Sequence, residues 1–390
     1  MRSIASPTGS TETRFARGQR FFYRYAVANI VGFALQGFIC ENSASSGVVE
    51  VLVRTGGFST RFLWGRLLET FQWLLQVTHD LASIRPGGEG HISTICVRLL
   101  HASVRQRILQ PAHRHPEYFK VDRFGIPINT LDCIHSISTF CCNPMWLQLP
   151  KLGISPQSSE IEDYVALFRY IAYLLGTPTS YFASAEKAKP TMESLFLHEL
   201  RLTETSKIVA NNFVHCVEKS LPPPINISRQ FIEAGSRCIN GHEVCDVLEL
   251  GRPGLLPYML FSGLRVLVTG LAWMQRTIPR LDEFMIDYFR TKLYWAVVQS
   301  NAGLKGGTKF ELKHKPRLGK KTTREDHPVR EEDGETRDWI RFLVWPSACL
   351  RPVELGLFLL SHSAGCGVAQ NKKRERGDFY SVWKTGESAY

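Results

Sequence analysis

Ser93-Thr-Ile-Cys-Val-Arg-Leu-Leu-His-Ala-Ser-Val-Arg-Gln-Arg-Ile-Leu109 spaces its apolar residues three and four apart, which keeps them on one face of an α-helix, and sets a histidine among them. At 100° per residue, Val97, His101, Val104 and Ile108 fall within about 60° of arc. Arg98 and Arg105 lie about 40–60° further round, on the side nearest the imidazole. A histidine so placed has two readings. It is a core residue whose ring nitrogen bonds a carbonyl, or it is a ligand whose lone pair is kept for a metal. With a guanidinium on the turn to either side, the second reading takes a definite form. The imidazole of His101 would bind haem iron, and Arg98 and Arg105 would donate charge-assisted hydrogen bonds to the two propionates.

Upstream, Arg66, Thr70, Trp73 and Val77 share one face of another helix, so two polar side chains look along a surface that is otherwise apolar. Downstream, Ser159-x-x-Glu162 reads as a capping box before the apolar run 164–175, which Gly176 ends. Residues 191–219, 228–249 and 256–300 carry further helical patches, and alternating strand-like runs are scarce. Pro222-Pro-Pro224 reads as a rigid, packed turn between helical blocks. The pattern predicts an all-α chain built as a single large helical domain over residues 14–304. A flexible N-terminus is expected over 1–13, a charged and mobile segment over 305–338, and an apolar, then basic, tail over 339–390.

With 390 residues, 44% of them hydrophobic, the chain has material for a large core. Its net charge of +11 raises nucleic acid or an anionic membrane as partners. The basic residues are scattered, however, and between 305 and 341 acidic residues are interleaved with them, with no nucleic-acid-binding module in view; no nucleic-acid partner is expected. A basic run over 14–24 precedes an apolar stretch over 25–40. That stretch falls short of the ~20 residues needed to span a bilayer and contains Asn29 and Gln36, which leaves peripheral membrane attachment or a buried core helix. The ten cysteines include no Cys-x-x-Cys, and Cys238-x-x-x-His242-x-x-Cys245 lacks a fourth ligand at zinc-site spacing, so reduced thiols are expected. No Gly-x-Ser-x-Gly elbow, phosphate loop or dinucleotide fingerprint is present, which removes the common hydrolase, kinase and dehydrogenase readings.

The run Val97-Arg-Leu-Leu-His-Ala-Ser-Val-Arg105 resembles the histidine helix of a known family. That family groups bacterial latex-clearing rubber oxygenases with a fungal, endoplasmic-reticulum-bound oxygenase of mycophenolic acid biosynthesis. The resemblance continues through Arg17-Gly-Gln-Arg-Phe-Phe-Tyr-Arg-Tyr25, Val51-Leu-Val-Arg-Thr-Gly-Gly-Phe58 and Arg66-Leu-Leu-Glu-Thr70. It is carried further by Phe124-Gly-Ile-Pro-Ile-Asn129, Lys151-Leu-Gly-Ile154 and Arg169-Tyr-Ile-Ala-Tyr-Leu-Leu-Gly176, in the family's order. It thins beyond residue 305.

The resemblance implies an all-α fold with a globin-like core around haem b, iron ligation by His101, and dioxygen chemistry on a hydrophobic small molecule. Arg66 and Thr70 match two distal residues of the rubber-cleaving branch, and Glu50 is the best match for a carboxylate base. Glu69 stands where that branch has a lysine, which takes any amine role away and puts rubber itself in doubt. The fungal branch implies oxidative cleavage or other oxidation of a prenyl chain or related carbon skeleton in secondary metabolism. It also implies a place at the endoplasmic reticulum membrane or on the cytoplasmic face of a membrane, and otherwise in the cytoplasm. The alternative is a non-catalytic helical protein, free or membrane-associated, that keeps the fold without the cofactor.

Overall fold

Phe15, Phe21, Phe22 and Tyr23 turn inward from helix α1 (Gly9–Arg24) while its arginines reach to the rim, and this division sets the first layer of the molecule. The computed structural model describes residues 9–55, 58–218, 227–308 and 310, which fall in one compact unit. The proline run 222–224, most of 305–338 and all of 339–390 lie outside the described residues. α1 takes in residues 9–13, part of the terminus expected to be flexible. Glu12 pairs there with Arg85 at 2.9 Å, and the Thr13 hydroxyl donates to the Gly9 carbonyl at 2.9 Å.

The chain continues through α2 (Ala26–Gly32), a π-helical stretch (Phe33–Glu41), α3 (Ser46–Arg54), α4 (Thr60–Thr78), α5 (Glu89–Arg114) and α6 (Thr130–Asn143). Then follow α7 (Ser158–Leu175), α8 (Ala185–His198), α9 (Glu204–Glu218), α10 (Arg229–Asn240), α11 (Leu255–Thr277) and α12 (Pro279–Tyr294). Among the described residues there is no strand, only an isolated antiparallel bridge between Ser45 and Leu200. The fold is all-α.

The apolar stretch 25–40 is a core element. Tyr25, Phe33, Phe38 and Ile39 are buried, at about 1.5–3 kcal/mol for each large side chain removed from water. Its polar residues are paired rather than exposed: Asn29 donates to the Phe22 carbonyl at 3.0 Å, and Gln36 donates to Glu41 at 3.0 Å. Glu41 is itself buried and collects His135 at 2.8 Å, the Thr139 hydroxyl at 2.9 Å and the Asn143 amide, so α6 is locked to the π-helical stretch by hydrogen bonds to one carboxylate.

α1 lies along α7 and α12. Arg14 and Arg17 both donate to the buried Asp163, and Arg24 bridges Glu160 and Asp282, each at 2.6 Å. The capping of α7 differs from the expected Ser159/Glu162 box. Glu160 accepts the Gln157 N–H at 2.8 Å, which starts the helix two residues sooner, and Glu162 accepts instead from the Ala185 N–H at 3.1 Å. Gly176 ends α7 as expected, at φ +77°, a left-handed conformation that a side chain resists.

α4 and α5 are neighbours, and they frame the candidate site. A Cβ at Gly90 would fall 2.7 Å from the Gln76 carbonyl oxygen, so the glycine permits the close approach of the two helices. The Trp73 indole donates across the contact to the Thr94 hydroxyl at 3.1 Å. Further along α5, Val104, Ile108 and Ala112 pack with Val51 of α3 and with Tyr118 and Phe119.

Candidate functional site

α5 outruns the quoted stretch at both ends, and its apolar stripe divides into two parts. Val104 and Ile108 are buried in the cluster with Val51, whereas Val97 and His101 are only half-buried. His101 has no hydrogen-bond partner among the described residues, so the reading as a core histidine bonded to a carbonyl finds no acceptor here. Burial first, then the charges of Arg66 and Arg105, push its pKa down to about 4. Desolvation is the largest cause of that shift, so the ring sits in a poorly hydrated position on α5. At neutral pH the imidazole is uncharged with its lone pair free, the state in which histidine ligates a metal. The donor chemistry at this position fits an axial haem ligand.

Arg66 is close enough to His101 for its charge to be felt there, so α4 and α5 bring these two candidates together. The Arg66 guanidinium donates to Glu69 at 2.8 Å, one turn along the helix. The Thr70 hydroxyl donates to the Arg66 carbonyl at 3.0 Å, which leaves the oxygen lone pairs available as acceptors. Trp73 and Val77 on the same face are buried. The expected arrangement of two polar residues on an otherwise apolar face is therefore present, with Arg66 already engaged by a carboxylate.

Glu69 and Gln72 also hold a strap that sequence reasoning missed. Gln72 donates to the Thr308 carbonyl at 3.1 Å and accepts the Thr308 N–H at 2.9 Å, while the Thr308 hydroxyl donates to Glu69 at 3.3 Å. The partners stand 236 and 239 residues apart, and no local pattern in the chain announces such a contact.

The remaining candidates are held by protein groups. Arg98 donates to the Leu174 carbonyl at 3.4 Å, over the end of α7, and a Cβ at Gly176 would lie 2.8 Å from its Cζ. Arg105 donates to the carbonyls of Pro127, at 3.1 Å, and Ile128. Each guanidinium keeps further N–H groups beyond these bonds. Glu50 is buried on α3, 3.6 Å from Arg54, and accepts from the Thr205 hydroxyl at 3.2 Å. Its neighbour Val51 makes the contact with α5, and the carboxylate is committed to Arg54 and Thr205.

Cys238 and His242 do not assemble with Cys245 into a metal site, and no cluster of His, Cys, Asp or Glu suited to a metal occurs among the described residues. The described cysteines are free thiols, and Cys141 and Cys142 are buried in the core.

The catalytic-domain profile of the family described as "ER-bound oxygenase mpaB/B'/Rubber oxygenase" matches residues 23–273, a span that contains every candidate residue above. Among solved structures, the latex clearing protein LCP in its closed state is similar at 18% identity. The likeness covers 75% of this chain and 76% of that chain with a TM-score of 0.53, and at that identity it is a likeness of fold. No curated protein matches the chain.

Proposed function

This chain belongs to the ER-bound oxygenase and rubber oxygenase catalytic-domain family, and from that premise we propose that it is a haem-dependent oxygenase acting on a hydrophobic small molecule. The observation that carries the proposal is His101, a neutral imidazole without a hydrogen-bond partner among the described residues, set on α5 beside the Arg66 charge on α4. His101 would hold the iron of haem b, and the unused N–H groups of Arg98 and Arg105 would take the propionates. Bound haem supplies the redox-active iron for dioxygen chemistry.

The chain's own residues do the rest. Arg66, paired with Glu69 at 2.8 Å, would use its remaining N–H groups to stabilise negative charge developing on a reacting oxygen atom. The Thr70 oxygen accepts, or after rotation donates, a hydrogen bond on the same face. Trp73 and Val77 exclude water and favour an apolar substrate. Glu50 is the reserve carboxylate, and it acts as a base only if Arg54 releases it. We assign as substrate a prenyl chain or related carbon skeleton of fungal secondary metabolism, oxidised or cleaved by dioxygen at an endoplasmic reticulum membrane or the cytoplasmic face of one.

The test is an absorption spectrum of protein from haem-supplemented cells, wild type against His101→Ala at equal folded concentration by circular dichroism. A Soret band in wild type and its loss in the variant is the expected result, followed by oxygen uptake with prenylated substrates. Folded wild type with no Soret band would sink the reading and leave a helical scaffold that has kept the fold without the cofactor.

A further inference from the structure

α11 turns an uncharged face outward along its whole length. Its 23 residues run about 34 Å. Leu256 (64% exposed), Met259 (60%), Leu260 (55%), Val266 (74%), Leu267 (54%) and Trp273 (64%) stand on that face. By helical projection the outward arc covers about 160° and contains no acid or base, only the hydroxyls of Ser262 and Thr277 among its apolar residues. Six large apolar side chains exposed by more than half sum to several hundred Å², at or beyond the largest patch a soluble monomer usually shows. Only 22% of the most apolar stretch of α11 is buried, so this is not the core helix of a soluble protein.

Three observations identify what covers it. Protein partners satisfy about one hydrogen bond per 100–200 Å² of interface, and this face offers almost no group to make them, whereas lipid asks for none. Cations line one edge of the face. Arg276 is spent on the Tyr25 hydroxyl at 2.8 Å and the Ser155 carbonyl at 2.7 Å, but Arg265 has no acceptor among the described residues and its Nε is buried unpaired. A guanidinium at the border of an apolar helix face is placed for a phosphate at the headgroup level. Finally, α11 packs along α10 and α12, which carry Arg229, Glu233, Asp282, Glu283 and Asp287. A spanning α11 would draw those charges into hydrocarbon, so the helix lies in the plane of the interface.

We propose that α11 is a monotopic docking face for a phospholipid surface, with its apolar arc sunk among the acyl chains and Arg265 on a lipid phosphate. The face stands apart from the cofactor assignment, so it can fail while the oxygenase reading holds, and the reverse.

The experiment is flotation of the full chain with phosphatidylcholine vesicles, with and without about one-fifth phosphatidylserine. Wild type is expected to float with both and more fully with phosphatidylserine. Leu256→Glu/Val266→Glu, folded by circular dichroism because both sites are exposed, is expected to partition at least about tenfold more weakly. Arg265→Gln should weaken flotation on both compositions, since both lipids carry the phosphate, and should reduce the gain from phosphatidylserine; flotation equal to wild type on both would remove Arg265 from the docking face. Wild type that stays at the bottom of the gradient overturns the proposal; a dimer there would give the face to a second copy, and a monomer would give it to another segment of the chain. Flotation of the Glu variant equal to wild type overturns it as well.

Discussion

His101 shows how one side chain acquires its chemistry from neighbours that are remote in sequence. Helical spacing puts it on a stripe, but desolvation and two guanidiniums make it a neutral base with a free lone pair. Its folded pKa lies below the ordinary histidine value of about 6.5, so the unfolded chain takes up a proton first as the pH falls. Without a ligand on the ring, that group is therefore neutral to stability above about pH 6.5 and costs the folded state progressively between there and about pH 4. In apo-protein, NMR titration should place the His101 ring near 4 in wild type and higher in Arg66→Ala, because a repelling charge has gone. The same variant in the loaded enzyme should keep its Soret band and lose about 10²-fold in turnover, the scale set by removing a preorganised electrostatic group. Unchanged turnover would end the distal assignment of Arg66.

Whole helices are governed by their ends and by where they cross. α7 begins where Glu160 accepts the Gln157 N–H, and it stops at Gly176, whose positive φ and missing Cβ let the Arg98 guanidinium lie over the last turn. Gly176→Ala should therefore cost about 1–3 kcal/mol in chemical denaturation from backbone strain and should displace Arg98, which, under the proposed haem assignment, would weaken haem retention. A variant as stable as wild type would refute the strain argument. The α4–α5 pair depends on Gly90 for its close approach and on the Trp73–Thr94 bond for its register, and the strap at Thr308 ties α4 from outside through Gln72 and Glu69.

Across the described residues, one charge network joins α1 to α12. Arg24 bridges Glu160 of α7 and Asp282 of α12, and Arg276 of α11 reaches the same Glu160. Arg24→Met would leave the buried Asp282 with Arg20 alone and Glu160 with Arg276 alone, each at 3.4 Å, with a loss of about 2 kcal/mol measured by urea unfolding. A loss below about 0.5 kcal/mol would class the network with surface ion pairs. The same network keeps α11 and α12 packed together on the outside of the bundle, and so holds the apolar face of α11 outward.

Much of the fold was legible because amphipathic helices write their burial in periodicity, and a histidine helix with its flanking arginines is local. The all-α class, the helix over 93–109, the end of α7 at Gly176 and the Arg66/Thr70 face could all be read along the chain. Tertiary structure alone decided which polar groups found partners. It gave Arg98 to Leu174, Arg105 to Pro127 and Ile128, Glu50 to Thr205 and Glu69 to Thr308, while His101 was left without an acceptor among the described residues. It also buried the apolar stretch 25–40 and exposed one face of α11, two segments that composition alone does not tell apart. The physical reason is the same in each case: hydrophobic pattern shows that a face will be covered, but the covering group and the hydrogen-bond partners are set by long-range packing that no local period records.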